Sequence, residues 1–276
     1  MKTLVLANQK GGVGKSAIGT QLAFYASACG LRVLYIDLDH QKNSTKPLLL
    51  SKLAVAAPFE SSQLQTLSVT PALEGRFVVV PGDELLTNLE RMPDTHNAFA
   101  NNLARLLATN GANFDLCVID TNPTPDIRYG AALVVTDYVL SPIQLNQEAL
   151  DGIARLLTHH RYGIHKIKAA INAKLDLIGL LPNLVEATPF QRANLIQLAQ
   201  RYAHLLIELT PGSKRYAFVP KRTAIAEAQA EGVPLSAMKK TSGRDAWVDI
   251  QPIFDAILQR MQLGTIRAYP VNSQTY

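Results

Sequence analysis

Gln9-Lys10-Gly11-Gly12-Val13-Gly14-Lys15-Ser16 sits at the turn between the first strand and the first helix, and from it the architecture can be worked out. Before it, Thr3-Leu4-Val5-Leu6-Ala7 is a short apolar run that reads as a buried strand. After it, residues 17–29 carry Ile18, Leu22, Tyr25 and Ala26 at helical spacing, with Gly30 placed to cap the helix. A glycine loop that follows a strand and opens a helix is the context of a phosphate-binding loop. Glycines let backbone N–H groups approach phosphate oxygens, and the helix N-terminus adds positive potential there. Lys15 is then placed to reach the β- and γ-phosphates, and the Ser16 hydroxyl to ligate Mg²⁺. The strict pattern G-x-x-x-x-G-K-[ST] is not met, because Gln9 stands where its first glycine belongs. The loop instead has a lysine at each end, Lys10 and Lys15.

Further along, apolar runs at 32–37, 76–81, 116–120, 138–142 and 175–182 read as strands. Helical patterns lie between and after them, among them 97–109, 147–159, 190–204 and 246–261. Nearly continuous apolar strands alternating with helices predict an α/β fold: a mainly parallel, doubly wound sheet with helices on both faces. No repeat or linker interrupts residues 1–262, which read as one domain, and residues 263–276 read as a flexible polar tail. Of the 276 residues, 47% are apolar, enough to build a large core. Two cysteines, Cys29 and Cys117, exclude a disulfide scaffold and fit a reducing cytosol; both read as small core residues. The N-terminus runs too soon into the glycine loop for a signal peptide, and no window is apolar enough for a membrane span. The net charge of +5 is compatible with an acidic partner.

The two-lysine loop resembles the deviant Walker A motif of the ParA/MinD ATPases, also shared by nitrogenase iron protein. The resemblance continues in chain order and covers about residues 1–260. Asp37-Leu38-Asp39-His40-Gln41-Lys42-Asn43 is similar to the family's D-x-D-P-Q-G-N switch. Asp115 to Pro123, with Asp120-Thr121-Asn122-Pro123, is similar to its Walker B stretch ending D-T-P-P. Val219-Pro220-Lys221-Arg222, Glu227-Ala228 and Gly232-Val233-Pro234 resemble the partition-type segment I-P-R…E-A…G-x-P. The fold implied is P-loop NTPase-like, and the activity is ATP hydrolysis with weak intrinsic turnover. ATP is implied to contact Lys10, Gly11, Gly12, Val13, Gly14, Lys15, Ser16 and Ala17, with its base against Asn183 and Pro220. Asp39 is implied to activate the attacking water, and Lys10 to cross to the nucleotide of a second subunit, so that Lys10, Lys15 and Asp39 are the catalytic set. Mg²⁺ is implied at Ser16, Asp37 and Asp120; a buried carboxylate such as Asp120 needs a cation, either that ion or a buried salt bridge. His40, Lys42 and Asn122 depart from the family pattern at proline, glycine and proline respectively.

Within the family the residues favour DNA over membrane. Helix 246–261 has a core-facing apolar side and mixed charge, unlike a basic membrane-surface helix. Basic residues gather late in the chain, and Arg192, Lys214, Arg215, Lys221 and Arg222 are the candidates for phosphate-backbone contact without sequence readout. The nearby aromatics Tyr202, Tyr216 and Phe218 read as core. The resemblance thus implies a partition ATPase of the short class, the loop beginning at residue 9 leaving no room for an N-terminal helix-turn-helix domain. Its ATP-bound homodimer binds DNA non-specifically in the cytoplasm, at the nucleoid, and a ParB-like centromere-binding protein stimulates hydrolysis and release. The alternative is a spatial-positioning ATPase for a protein or membrane assembly. A metal-cluster reductase is the third reading, with only two thiols to support it.

Overall fold

The computed structural model describes residues 1–146 and 148–264. Gln147, where the sequence places a helix start, and the tail from 265 onward lie outside the described residues. The strands are β1 (Lys2–Leu6), β2 (Val33–Asp37), β3 (Val55–Ala56), β4 (Phe77–Val80), β5 (Leu116–Asp120), β6 (Tyr138–Ile143) and β7 (Asp176–Pro182). The helices are α1 (Lys15–Ala28), α2 (Thr45–Leu50), α3 (His96–Thr109), α4 (Ile127–Val135), α5 (Ala149–Thr158), α6 (Ile164–Ala170), α7 (Pro189–Tyr202), α8 (Thr223–Glu231) and α9 (Thr241–Arg260). All seven strands pair in parallel, in the order β3-β4-β2-β5-β1-β6-β7.

Both faces of the sheet are buried, which is why its strands lack polar alternation. On β1, Leu4 and Leu6 join one core with Val33 and Tyr35 of β2 and Val118 of β5, covered by α1, α8 and α9. Val5 joins the opposite core with Leu34, Ile36, Cys117 and Ile119, covered by α3, α4, α5 and α6. By the same alternation, Asp37 and Asp120 fall on the α1 side. They are directly paired in register at the carboxyl ends of β2 and β5. β1 is flanked by β5 and β6, so the chain winds outward from it in both directions. The glycine loop at the carboxyl end of β1 therefore sits where α/β sheets bind ligands.

Three expectations differ in detail. α9 starts about a turn earlier than the apolar pattern indicates, because Thr241 to Asp245 contribute few apolar side chains. β3, at the sheet edge, is two exposed residues long and leaves no periodic signal. Phe218 is 42% exposed rather than core: it alternates with Ala217 and Val219, which are buried. Gly30 does close α1, in the left-handed region at φ 89, and Cys29 and Cys117 are buried.

Candidate active site

The glycine loop folds as a cradle whose α1 N-terminus has no side-chain cap among the described residues. Gly14 caps α1 with φ 87 and no side-chain hydrogen bond, and the first turn holds no acidic residue. The N–H groups that a cap would satisfy are thus left for an anion. Gly14 is required on two counts, since a Cβ there would also lie 2.2 Å from Asn183 Nδ2. Gly12, at φ 74, has open space where a Cβ would be.

Lys15 is buried and donates its ammonium to the carbonyls of Asn8 (3.2 Å) and Lys10 (3.5 Å). Burial draws it below the usual lysine range, while the Asp120 and Asp39 carboxylates oppose that shift. The loop is also held from behind. Asn8 donates to the Pro142 carbonyl at 2.8 Å and accepts from the Lys10 backbone at 2.8 Å. Gln144 Nε2 donates to the Gly12 carbonyl at 3.1 Å, and Asn183 Nδ2 to the Val13 carbonyl at 2.7 Å.

Three carboxylates gather beneath this loop. Both oxygens of Asp37 are engaged: Oδ1 accepts from the Asp39 backbone, and Oδ2 from the Thr45 backbone and hydroxyl. Burial, then the adjacent Asp120, pushes its carboxyl up to about 7. Asp120 accepts the Ser44 hydroxyl at 2.6 Å on Oδ2, while its buried Oδ1 has no hydrogen-bond partner. Burial also raises Asp120, against the neighbouring Ser16 and Ser44 hydroxyls and the Lys15 ammonium. Asp39 is 6% exposed and is held by the Gln41 backbone on its Oδ1.

This set fits Mg²⁺. A buried carboxylate with an orphaned oxygen, beside a serine hydroxyl, suits an ion that keeps most of its water and takes few protein ligands. No group of three or more His, Cys, Asp or Glu side chains that could cage a metal occurs among the described residues. Both oxygens of Asp37 accept hydrogen bonds that tie the switch and α2 to the end of β2.

Two cavities flank the loop. One of about 380 Å³ is lined by Gly11 to Ala17 together with Asp39, Gln41 and Pro123. The other, about 490 Å³ and mostly apolar, is lined by Ile18, Pro47, Leu184, Arg222 and Ile225 among others. Gly14, Ala17, Asn43 and Gln229 border both. Asn183 is 3% exposed and borders the apolar cavity, and its Oδ1 is unpartnered.

A cavity lined by the glycine loop, bordering a more apolar one, has the shape of a nucleotide site. Residues 1–177 match the AAA domain family. The chain is 35% identical over 274 residues to protein IncC of Escherichia coli, covering 96% of this chain and 71% of that one. It is 32% identical over 249 residues to the chromosome-partitioning ATPase Soj of Thermus thermophilus, covering 88% and 90%. The chain belongs to the ParA/Soj/IncC family of partition ATPases. McdA of Cyanothece, solved as an ATP complex, shares the fold with a TM-score of 0.73 at 20% identity, covering 96% of this chain and 97% of that one.

In this partition ATPase, segment 219–221 runs beside the end of β7, with Pro220 bridging Val185. Lys10 lies at the cradle's mouth, 2.8 Å from Glu148 Oε2, with 39% of its side chain exposed. The basic candidates separate into two groups. Lys221 pairs with Glu186, and Arg222 pairs with Asp249 at 2.7 Å on the rim of the apolar cavity. Arg192, Lys214 and Arg215 are exposed and have no ion pair among the described residues; they lie on α7 and the turn beyond it.

The departures from the family pattern find physical roles. Lys42 takes the left-handed conformation that a glycine would adopt at no cost, φ 58. His40 Nδ1 lies 3.4 Å from Asp39 Oδ1. Asn122 donates to Asp126, which caps α4. The sequence reading missed Ser44 and Thr45, whose hydroxyls tie α2 to Asp120 and Asp37. Their position directly after the switch motif was the available signal. It also missed Asn8, Gln229 and Glu148, for which no local motif exists.

Proposed function

We propose that the chain is an ATP-dependent DNA-partition ATPase that works as an ATP-bound sandwich dimer. The observation that carries this reading is the uncapped α1 N-terminus bracketed by Lys10 and Lys15 above Asp37, Asp39 and Asp120. The phosphates of ATP seat on the Gly11 to Ser16 amides, and Lys15 exchanges its two carbonyl partners for phosphate oxygens. The base enters the apolar cavity beside Asn183 and Leu184; Pro220, which bridges Val185, is not among the residues lining it. There Asn183 Oδ1, which has no hydrogen-bond partner among the described residues, accepts from the exocyclic amino group of adenine. Ser16 and Asp120, the latter through water, would hold Mg²⁺, which supplies charge neutralisation at the phosphates. Asp39, buried beside the phosphate cavity, orients the attacking water. Lys10 leaves Glu148 and reaches the phosphates of the partner subunit, adding charge stabilisation in trans.

The dimer presents Arg192, Lys214 and Arg215 to DNA phosphates; Lys221 and Arg222 contribute only after exchanging their carboxylate partners. A ParB-like centromere-binding protein stimulates hydrolysis and releases the dimer. The place of action is the cytoplasm, on the nucleoid. Gel-shift on random-sequence duplex with ATP, ADP or no nucleotide tests the reading. Retardation with ATP alone, lost by moderate salt, is expected, because each neutralised phosphate adds about −0.9 to the log–log salt slope. Equal retardation in all three conditions overturns the switch. Binding to liposomes but not to DNA favours a membrane-positioning role instead.

A further inference from the structure

We infer that Gln229 is a positioning residue for ATP hydrolysis, holding the segment that carries Asp39 through a Thr20–Gln229–Asn43 hydrogen-bond relay. The inference rests on the ATPase reading above. Gln229 lies on α8, in the late part of the chain, yet it borders both cavities beside the glycine loop. Its Oε1 accepts from the Thr20 hydroxyl at 2.6 Å, and its Nε2 donates to the Asn43 carbonyl at 2.7 Å. Thr20 is fully buried on α1, one helical turn beyond Ser16. Asn43 lies four residues beyond Asp39.

The two ends of this relay differ in how firmly they are held. The segment that follows α8 is tied to α1 by Gln21, which donates to the Val233 carbonyl at 3.1 Å and accepts from the Leu235 backbone at 2.8 Å. Gly232, just past α8, also sits close on α2, since a Cβ there would lie 2.7 Å from the Pro47 carbonyl. The segment 40–43 is held otherwise by bonds within itself, to Asp39 and to the first turn of α2, such as Gln41 N–H to Asp39 Oδ1, Lys42 N–H to the Asp39 carbonyl and Lys46 N–H to the Lys42 carbonyl at 3.1 Å. Besides that Lys46 N–H of α2, Gln229 supplies the one side-chain hydrogen bond reaching this segment from another element among the described residues. The salt bridge of Lys42 with Glu84, at 3.5 Å between side chains 30% and 85% exposed, is a weak second tie. Both polar ends of Gln229 are engaged with the protein, so its action is on the position of the hydrolytic segment and not on holding the nucleotide.

Steady-state turnover of the full chain with ATP and magnesium tests this, using Gln229→Glu, Gln229→Leu, Thr20→Val and Thr20→Ser. Gln229→Glu keeps the shape and the acceptor for Thr20 but sets an oxygen against the Asn43 carbonyl. We expect kcat to fall about tenfold in both Gln229 variants, the effect of losing one well-placed hydrogen bond, with KM for ATP within about twofold. Thr20→Val lowers kcat and Thr20→Ser, which keeps the hydroxyl, restores it. Amide exchange of residues 39–46 rises in the Gln229 variants while α1 stays protected. An unchanged kcat in Gln229→Glu, or parallel losses of kcat, ATP affinity and melting temperature, overturns the positioning role while leaving the ATPase reading intact. A wild-type chain that neither binds nor hydrolyses ATP overturns both.

Discussion

The Lys10 ammonium is held 2.8 Å from Glu148 Oε2 within its own subunit. The lysine that the dimer reading sends across to a second nucleotide therefore starts from an intramolecular ion pair. Both side chains are substantially exposed, at 39% and 72%, which puts the pair in the range of about 0.2–1 kcal/mol. Glu148→Gln should favour ATP-driven dimerisation by a factor of roughly 1.5 to 5, and Lys10→Ala should abolish it with the fold intact. Sedimentation velocity with ATP reads both. A Lys10→Ala chain that still dimerises and turns over normally would remove the clamp.

Asp39 is buried at the phosphate cavity and accepts the Gln41 backbone N–H. Asp39→Ala removes the carboxylate proposed to orient water but leaves the loop amides and Lys15 in place. The variant should bind ATP with near-native affinity, lose hydrolysis by about 100-fold or more, and remain on DNA. Dissociation of the DNA complex after adding a partition partner is the measurement; rapid release of the variant would contradict the role.

Lys42 pays for its left-handed backbone, φ 58, where the family pattern has glycine. Lys42→Gly removes a conformational cost of roughly 1–2 kcal/mol and adds about 0.5–1 kcal/mol of unfolded-state entropy. A net stabilisation near 0.5–1 kcal/mol should raise the thermal midpoint by roughly 1–4 °C. Loss of the Lys42–Glu84 contact at 3.5 Å reduces this only slightly, because Glu84 is 85% exposed. Calorimetry in the absence of nucleotide checks it.

Asp115 ties the start of β5 to β2 through two contacts with the Arg32 guanidinium and one with its backbone N–H. The Arg32 side chain holds the Asp115 carboxyl below its ordinary value of 3.8. A depressed folded-state pKa means the unfolded chain binds the proton more readily, so the stabilisation is present above pH 3.8 and is lost as pH falls through the lower, folded value. Asp115→Asn should cost about 1 kcal/mol at neutral pH, a modest figure because the pair is partly exposed. The gap from wild type should close below pH 3.8. Urea titrations at pH 7 and pH 3 decide it.

The phosphate cradle was legible in the sequence because its parts are contiguous. A strand, a glycine loop, Lys15-Ser16 and a helix act on one anion within a few residues, so spacing alone carries the geometry. The apolar runs likewise predicted a parallel sheet, since burial on both faces leaves no polar alternation to confuse them. Phe218 went the other way, because a strand-like alternation decides its side and composition does not report that.

The order of residues along the chain supplies the set of groups: two lysines around one loop, carboxylates at strand ends and the motifs that mark the family. Tertiary structure alone decided how those groups are engaged. It set Asp37 beside Asp120 in register, handed both to Ser44 and Thr45, paired Lys10 with Glu148 and Arg222 with Asp249, and brought Gln229 to Asn43. The physical reason is range. Local spacing fixes contacts along one turn or one strand, whereas contacts such as Lys10–Glu148, 138 residues apart, exist only once the sheet has set strand order and register.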